Sequence, residues 1–389
     1  MIIERELYSK IKPFINSKGA IIVTGMRRVG KTTLLKFISS KINSGNQLFL
    51  DLENPINQKY FEEEDFEKIL DNLKFLGLNI NKKAYIFLDE IQFLKRIPSI
   101  VKYLSDHYEI KFFLSGSSGF YLKNLFSESL SGRKHVFELY PLNFREFLKL
   151  KKSKISFDFS ESKLSKAMFS KLNSYYDEYS RFGGFPQVIN ANSSAEKEMI
   201  LDDIFSSYFQ MEVRQLSDFR KINVFRDMML LLMQRTGSKL DIQKISSEIG
   251  ISRETVYKYL AFLESTYFIK TIRPFTKNAD SEIRNMPKLY VCDNGFLSRF
   301  AKVDKGVLFE NAIFWALNSQ GAVNYYQRKS GVEIDFIVDK KKAYEIKFTP
   351  RAGDISKLKR LCADLKISDY KIVSKNQSAL EHIIYGFLI

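Results

Sequence analysis

Through the first third of the chain, short apolar runs alternate with stretches of helical period. Residues 20–24 (AIIVT) form a β-rich run that stops at Gly25. Leu34, Leu35, Ile38 and Ile42 then recur at helical spacing, which predicts a strand, a tight turn and a helix. Residues 47–52, 85–88 and 111–114 read as three further strands, with helical patterns at 62–76 and 96–107. Buried apolar strands alternating with helices argue for a parallel α/β sheet covered on both faces.

The pattern changes after Pro141. Residues 142–150 and about 160–235 read as helices, broken at Gly183, Gly184, Phe185 and Pro186, where Gly and Pro mark a turn. Two short helices follow over 241–264, around Gly250, and then strands at 267–273 and 288–292. A helix from Leu308 leads into strands at 323–327, 334–338 and 343–348, a helix near 353–365 and a strand near 369–373. These shifts divide the 389 residues at 1–150, 151–235, 236–300 and 301–389. A chain of this length exceeds one ordinary core, so several domains are expected.

Composition adds a sign to this outline. The net charge is +16, and residues 235–389 carry +9 of it. Positive charge favours a polyanionic partner, nucleic acid first, although a lysine-rich solvated surface fits the charge equally well. The two cysteines, Cys292 and Cys362, and three histidines form no metal-binding spacing. Lone cysteines fit a reducing compartment, so a cytoplasmic location is expected. The first ten residues carry Glu4, Arg5 and Glu6 without an apolar run, so no secretory leader is expected. The longest apolar stretches are too short to span a bilayer, and no membrane partner is expected.

The turn after the first strand carries the strongest chemical signal. Gly25, Met26, Arg27, Arg28, Val29, Gly30, Lys31 and Thr32 fit the phosphate-loop pattern G-x-x-x-x-G-K-[ST], with Thr33 next in the helix. The glycines let the loop turn its N–H groups toward phosphate, and the helix adds its positive end. Lys31 is placed to reach the β- and γ-phosphates of ATP, and the Thr32 hydroxyl to ligate Mg2+. The strand at 85–88 ends in Asp89 and Glu90. Asp89 is placed to hold Mg2+ through water, and Glu90 to polarise the attacking water. Residues 115–118 (SGSS) end another strand, where Ser115 and Ser117 either sense the γ-phosphate or simply close a turn.

The later segments carry two weaker signals. Ile242, Ile245 and Ile249 give one apolar face, Gly250 a turn, Ser252 an N-cap, and Val256, Leu260 and Leu263 a second face. That is a helix-turn-helix layout, and the strands at 267–273 and 288–292 would flank a wing bearing Lys277 and Arg284. Arg253, Tyr257 and Lys258 lie on the outward side of the second helix, where they would meet DNA, or a protein partner using the same surface. Farther on, Glu310 precedes Asp335 and the triplet Glu345-Ile346-Lys347. Glu345 and Lys347 share one strand face, and Asp335 can sit beside them on the paired strand. Carboxylates so placed suit Mg2+ or Mn2+, with the lysine activating water or steadying charge on phosphate. Glu333 points to the same side as Asp335.

Residues 20–145 resemble an AAA+-type P-loop ATPase. The stretches TGMRRVGKTTLL, YIFLDEIQ, FFLSGSSG, SLSGRKHVFELYPLNFREFL and RFGGFPQVI are similar to a group of prokaryotic AAA+ ATPases of largely unknown role. The resemblance implies an AAA+ α/β domain over 1–150, a helical lid over 151–235, a winged helix over 236–300 and a restriction-endonuclease-like α/β domain over 301–389. It also implies that Arg133 serves as an arginine finger on a neighbouring copy in a homo-oligomer. The last segment resembles the PD-(D/E)xK endonuclease fold, with Asp335, Glu345 and Lys347 as its triad and Glu310 as the acidic residue on the helix. Two functions are then expected in competition. One is ATP hydrolysis coupled to DNA binding and metal-dependent cleavage. The other is an ATP-regulated protein-interaction switch with a degenerate nuclease-like domain.

Overall fold

The computed structural model describes residues 2–117, 132–153, 155, 164–212, 222–276, 286–328 and 330–389. They form two compact units: Met1–Tyr140 with Ser265–Tyr267, and Pro141–Glu264 with Phe268–Ile389. The segments expected as lid, winged helix and nuclease-like domain therefore lie within the second unit, apart from 265–267.

The first unit is built on five strands: β1 (Ala20–Thr24), β2 (Gln47–Asp51), β3 (Ala84–Asp89), β4 (Ile110–Gly116) and β5 (Lys134–Glu138). All pair in parallel, in the order β2-β3-β4-β1-β5. Strands β1, β3 and β4 are buried end to end, which is why their sequences read as continuous apolar runs without alternation. Phe87 stacks between Phe49 and Phe113 across neighbouring strands. Ile22, Ile86, Leu88, Phe112 and Leu114 pack with Leu70, Leu73, Ile100 and Leu104 of the covering helices. The order places β4 between β1 and β3, so its carboxyl end lies between the phosphate loop and Asp89.

Strand β5 is absent from the sequence expectation. Its residues KHVFE form a half-exposed edge strand with charged ends, too polar to register as an apolar run. It pairs with β1 and brings Leu139 against the phosphate loop.

In the second unit the expected helices appear as Phe144–Leu150, Lys166–Phe182, Pro186–Asn190, Ser194–Glu212 and Ile222–Gln234. The glycines between the second and third do more than turn the chain. Gly183 has φ +78°, and a Cβ there would sit 1.8 Å from Asp293 Oδ1. A Cβ on Gly184 would lie 2.2 Å from the Leu142 carbonyl. Gly184 N donates to Asp293 Oδ2 at 2.7 Å, and Leu142 N donates to the Gly184 carbonyl. The turn is thus a packing node between residues far apart in the chain.

Helices Ile242–Ile249 and Arg253–Ser265 follow, separated by Gly250 at φ +74° and Ser252, whose hydroxyl caps Thr255 N. Val256, Leu260 and Leu263 are buried as expected, whereas on the preceding helix only Ile245 is fully covered. Strands β6 (Ile269–Ile272) and β7 (Lys288–Val291) are antiparallel. Main-chain bonds from Gly237 and Leu240 to the carbonyls of Leu289 and Pro287 set residues 237–240 alongside β7. Lys277 and Arg284 of the expected wing, and Ser118, lie outside the described residues.

The chain closes with helix Lys305–Asn318, β8 (Val323–Gln327), β9 (Glu333–Val338), β10 (Lys342–Lys347), helix Ala352–Leu365, β11 (Asp369–Ser374) and β12 (Ile383–Tyr385). The sheet runs β12-β11-β10-β9-β8, antiparallel among β8, β9 and β10 and parallel among β10, β11 and β12. Residues 273–275, continuing from β6, pair with Tyr325 of β8, so main-chain hydrogen bonds join the small sheet to the large one. Among the described residues no helix is long and apolar enough to cross a membrane.

Candidate nucleotide site and candidate carboxylate site

The phosphate loop joins β1 to helix Lys31–Lys41. Gly25 (φ +151°) has no room for a side chain, since a Cβ would lie 2.1 Å from the Leu139 carbonyl. Gly30, in left-handed backbone at φ +97°, opens the helix. Lys31 is buried, and its Nζ donates to the carbonyls of Gly25 and Met26 at 3.0 and 3.1 Å, curling back over the loop. Arg27 is half-buried, Arg28 exposed with φ +66°, and Val29 fully buried. Thr33 faces solvent one residue beyond the half-buried Thr32.

Asp89 ends β3 and is buried. The Ser115 hydroxyl donates to its Oδ1, and Thr32 hydrogen-bonds the same carboxylate. Burial raises its pKa and the charge of Glu90 adds to this; the hydrogen bonds from Ser115 and Thr32 and the charge of Lys31 pull the other way. A buried carboxylate touching a loop hydroxyl is a hard oxygen donor set, and it fits Mg2+ bound with a triphosphate. Ser115 is therefore a direct partner of the candidate metal ligand, a role the sequence left open.

Glu90 adopts left-handed backbone (φ 52°, ψ 49°) where the chain leaves the sheet, a conformation unusual for a residue with a side chain. Gln92 Nε2 donates to the Glu90 carboxylate and, at 3.1 Å, to Ser117 Oγ. A further positioning group is Arg5, buried, whose guanidinium donates to the carbonyls of Val29 (2.9 Å) and Tyr140 (2.7 Å). Arg133 lies elsewhere. It precedes β5, at the amino edge of the sheet, and pairs with Asp106. The length of a five-residue strand, about 15 Å, separates that edge from the loop end, so Arg133 does not reach the nucleotide site of its own unit.

The second cluster lies on the large sheet of the second unit. Register pairs Tyr344 with Phe336, and continued by one step it sets Glu345 opposite Asp335. Asp335 Oδ2 accepts the Ile346 N–H at 2.7 Å. Lys347 Nζ lies 2.8 Å and Lys357 Nζ 3.7 Å from Glu345 Oε1. The other Glu345 oxygen is buried and accepts no hydrogen bond. Burial, reinforced by the charges of Glu345 and Glu310, pushes Asp335 up to about 7. Burial also raises Glu310, whose Oε1 accepts the Tyr290 hydroxyl at 2.8 Å.

Glu310 is thus taken up by Tyr290. Among the described residues no three His, Cys, Asp or Glu side chains gather closely enough to hold a metal ion. The expected three-carboxylate set of Glu310, Asp335 and Glu345 therefore reduces to the pair Asp335 and Glu345. Two carboxylates with water completing the shell still suit Mg2+ or Mn2+.

Residues 17–148 match the model of an AAA domain. The match spans the phosphate loop, Asp89–Glu90 and all five parallel strands, and it agrees with the P-loop ATPase fold of the first unit. A second match, over residues 173–306, is to a domain of unknown function; it contains the Gly183–Asp293 node and the paired helices 242–265. The chain is also similar to an uncharacterized protein of Methanocaldococcus jannaschii, 28% identical over 98% of this chain and 87% of that protein. An uncharacterized protein of Haemophilus influenzae is 28% identical over 91% of this chain and 88% of its own length. Among solved structures, the Walker-type ATPase of Pyrococcus abyssi aligns over 77% of this chain and 96% of its own, with 14% identity and a TM-score of 0.47.

Arg253, Tyr257 and Lys258 all lie on the exposed side of their helix, with Tyr257 60% exposed and Lys258 paired to Glu254 at 2.8 Å. Sequence reasoning overlooked Arg5, Gln92, Lys288 and Tyr290. Gln92 stands two residues beyond Glu90 in the same stretch, whereas Val29, Tyr140, Glu333 and Glu310, which the side chains of the other three meet, lie far off in the sequence.

Proposed function

We propose that the protein binds and hydrolyses ATP with Mg2+ in its first unit, and that this is coupled to DNA binding through a winged helix in its second. The observation that carries the reading is the hydrogen-bonded set Thr32–Asp89–Ser115 beside the glycine-lined loop. Mg2+, when bound, supplies charge neutralisation for the β- and γ-phosphates. Thr32 and Asp89 would hold it, Lys31 would turn from the loop carbonyls to the phosphates, and the loop N–H groups would orient them. Glu90 would accept the proton of the attacking water once Gln92 releases its carboxylate. Isothermal calorimetry with ATP and Mg2+ tests binding, and phosphate release tests turnover. A chain giving neither signal at millimolar nucleotide would refute the proposal.

Because Arg133 sits at the far edge of its own sheet, its part in catalysis would be played on a neighbouring copy. Mixing Arg133→Ala with Lys31→Ala protein should then restore turnover that each lacks alone.

The winged-helix reading is supported by the order helix 222–234, strand-like 237–240, helices 242–249 and 253–265, then β6 and β7. Arg253, Tyr257 and Lys258 would face DNA, and affinity should fall steeply with salt. The order helix, three antiparallel strands, helix, parallel strand supports a nuclease-like second site, with Asp335 and Glu345 holding Mg2+ or Mn2+ and Lys347 steadying phosphate charge. Cleavage of plasmid DNA lost in Asp335→Ala is the expected result. The alternative, an ATP-regulated protein-interaction switch with a degenerate nuclease-like domain, is favoured by the engagement of Glu310 with Tyr290. It requires normal ATP binding, no cleavage, and indifference to Asp335→Ala.

A further inference from the structure

The carboxylate pocket is completed by a strand from outside the nuclease-like segment. Lys288 and Tyr290 are two apart on β7 and share one face of it. Tyr290 hydrogen-bonds Glu310, and Lys288 Nζ lies 3.3 Å from Glu333 Oε2 and 5.3 Å from the centre of the Tyr325 ring. Lys288 is only 5% exposed. Glu333 shares its strand face with Asp335, which stands opposite Glu345. Gly237, at φ +79° beside β7, fits against Glu310, where a Cβ would come within 3.0 Å of Oε1. Asp335 thus feels the charges of Glu345, Glu310 and Lys288, while Lys288 pairs with Glu333 and Lys347 and Lys357 flank Glu345. One buried Glu345 oxygen accepts no hydrogen bond.

A buried ammonium among carboxylates does electrostatically what a metal ion would do there. We infer that Lys288 is the resident cation of this pocket and holds down its affinity for a divalent ion. The inference rests on reading Asp335 and Glu345 as a cation site. It gives β7, and with it residues 237–240, a part in setting that affinity.

Manganese binding to the full chain, followed by electron paramagnetic resonance of free Mn2+, tests this. The relevant component is the one lost in Asp335→Asn. Lys288→Met should tighten it by about tenfold or more, because a buried like charge is removed. Lys288→Arg should keep the wild-type affinity. Should Lys288→Met fail to fold, Lys288→Gln, which can still donate to Glu333, carries the same expectation. Equal affinities in the wild type and the neutral variants would overturn the inference while leaving the cation site standing. If neither the wild type nor a neutral variant shows an Asp335-dependent component, the cation site fails and the inference with it.

Discussion

The two acid-bearing sites answer the same electrostatic problem in opposite ways. At the phosphate loop a single buried carboxylate, Asp89, is held by the hydroxyls of Thr32 and Ser115, while the nearby Lys31 spends its hydrogen bonds on loop carbonyls. Its partners are neutral, so a cation arriving with a nucleotide meets a ready acceptor. On the second sheet, lysines already stand against the carboxylates. A site meant to exchange its ligand leaves its charge to be answered from outside, whereas a self-neutralised cluster keeps its geometry without one. The contrast also explains why one pattern is compact in sequence and the other is dispersed.

The widest gap between the sites should appear in Lys31→Ala. Loss of one preorganised cation at a transferring phosphoryl group should lower turnover by about 10²–10³-fold, measured by phosphate release, with the fold intact by circular dichroism. The DNA binding proposed for the second unit should persist in the same protein.

Next in size is Gly183→Ala. The new methyl would clash with Asp293 at a position whose positive φ already disfavours a side chain, which should cost about 2–4 kcal/mol in urea unfolding of the second unit. The equivalent change at Gly25, against the Leu139 carbonyl, should instead appear as lost nucleotide binding.

A third difference concerns pH. Burial pushes Asp293 up to about 7, despite the N–H groups of Gly184 and Gly295. Its folded pKa lies above the unfolded one, so the folded state holds the extra proton between the two values. Stability of the second unit should therefore fall as pH rises from 5 to about 7 and level off above that. Asp293 should account for about 2–3 kcal/mol of the fall. Asp335 and Glu310 shift in the same direction. Asp293→Asn should flatten the profile; an unchanged slope would remove Asp293 from the account.

The smallest effect belongs to Lys258→Ala. The Glu254–Lys258 pair is exposed on both sides and screened by solvent, so the unfolding midpoint should stay that of the wild type. The salt slope of DNA binding should drop by about one if this lysine meets a phosphate.

What could be read from the sequence follows the range of the forces involved. The phosphate loop, Asp89–Glu90 and strands β1, β3 and β4 declare themselves locally, because burial on both faces leaves a continuous run and the loop chemistry is contiguous; the edge strand β2 shows through its Leu48-Phe49-Leu50 run. The helix pair 242–265 was legible from Gly250, Ser252 and the Val256–Leu260–Leu263 face. Strand β5 was not, since an edge strand need bury only part of its side chains, and the three-residue β12 is too short for any period. Gly183 and Gly184 read as a turn, but their identity is dictated by Asp293 and Leu142. Lys288 looked like any basic residue at a strand start; only the fold lays it beside Glu333.

The seam between residues 273–275 and β8 bears on how the molecule can be taken apart. A fragment starting at Ala301 would lose those main-chain partners and leave β8 as an open edge, inviting self-pairing. It would also strip Tyr290 from Glu310 and Lys288 from Glu333, so its affinity for ions would not report that of the intact chain.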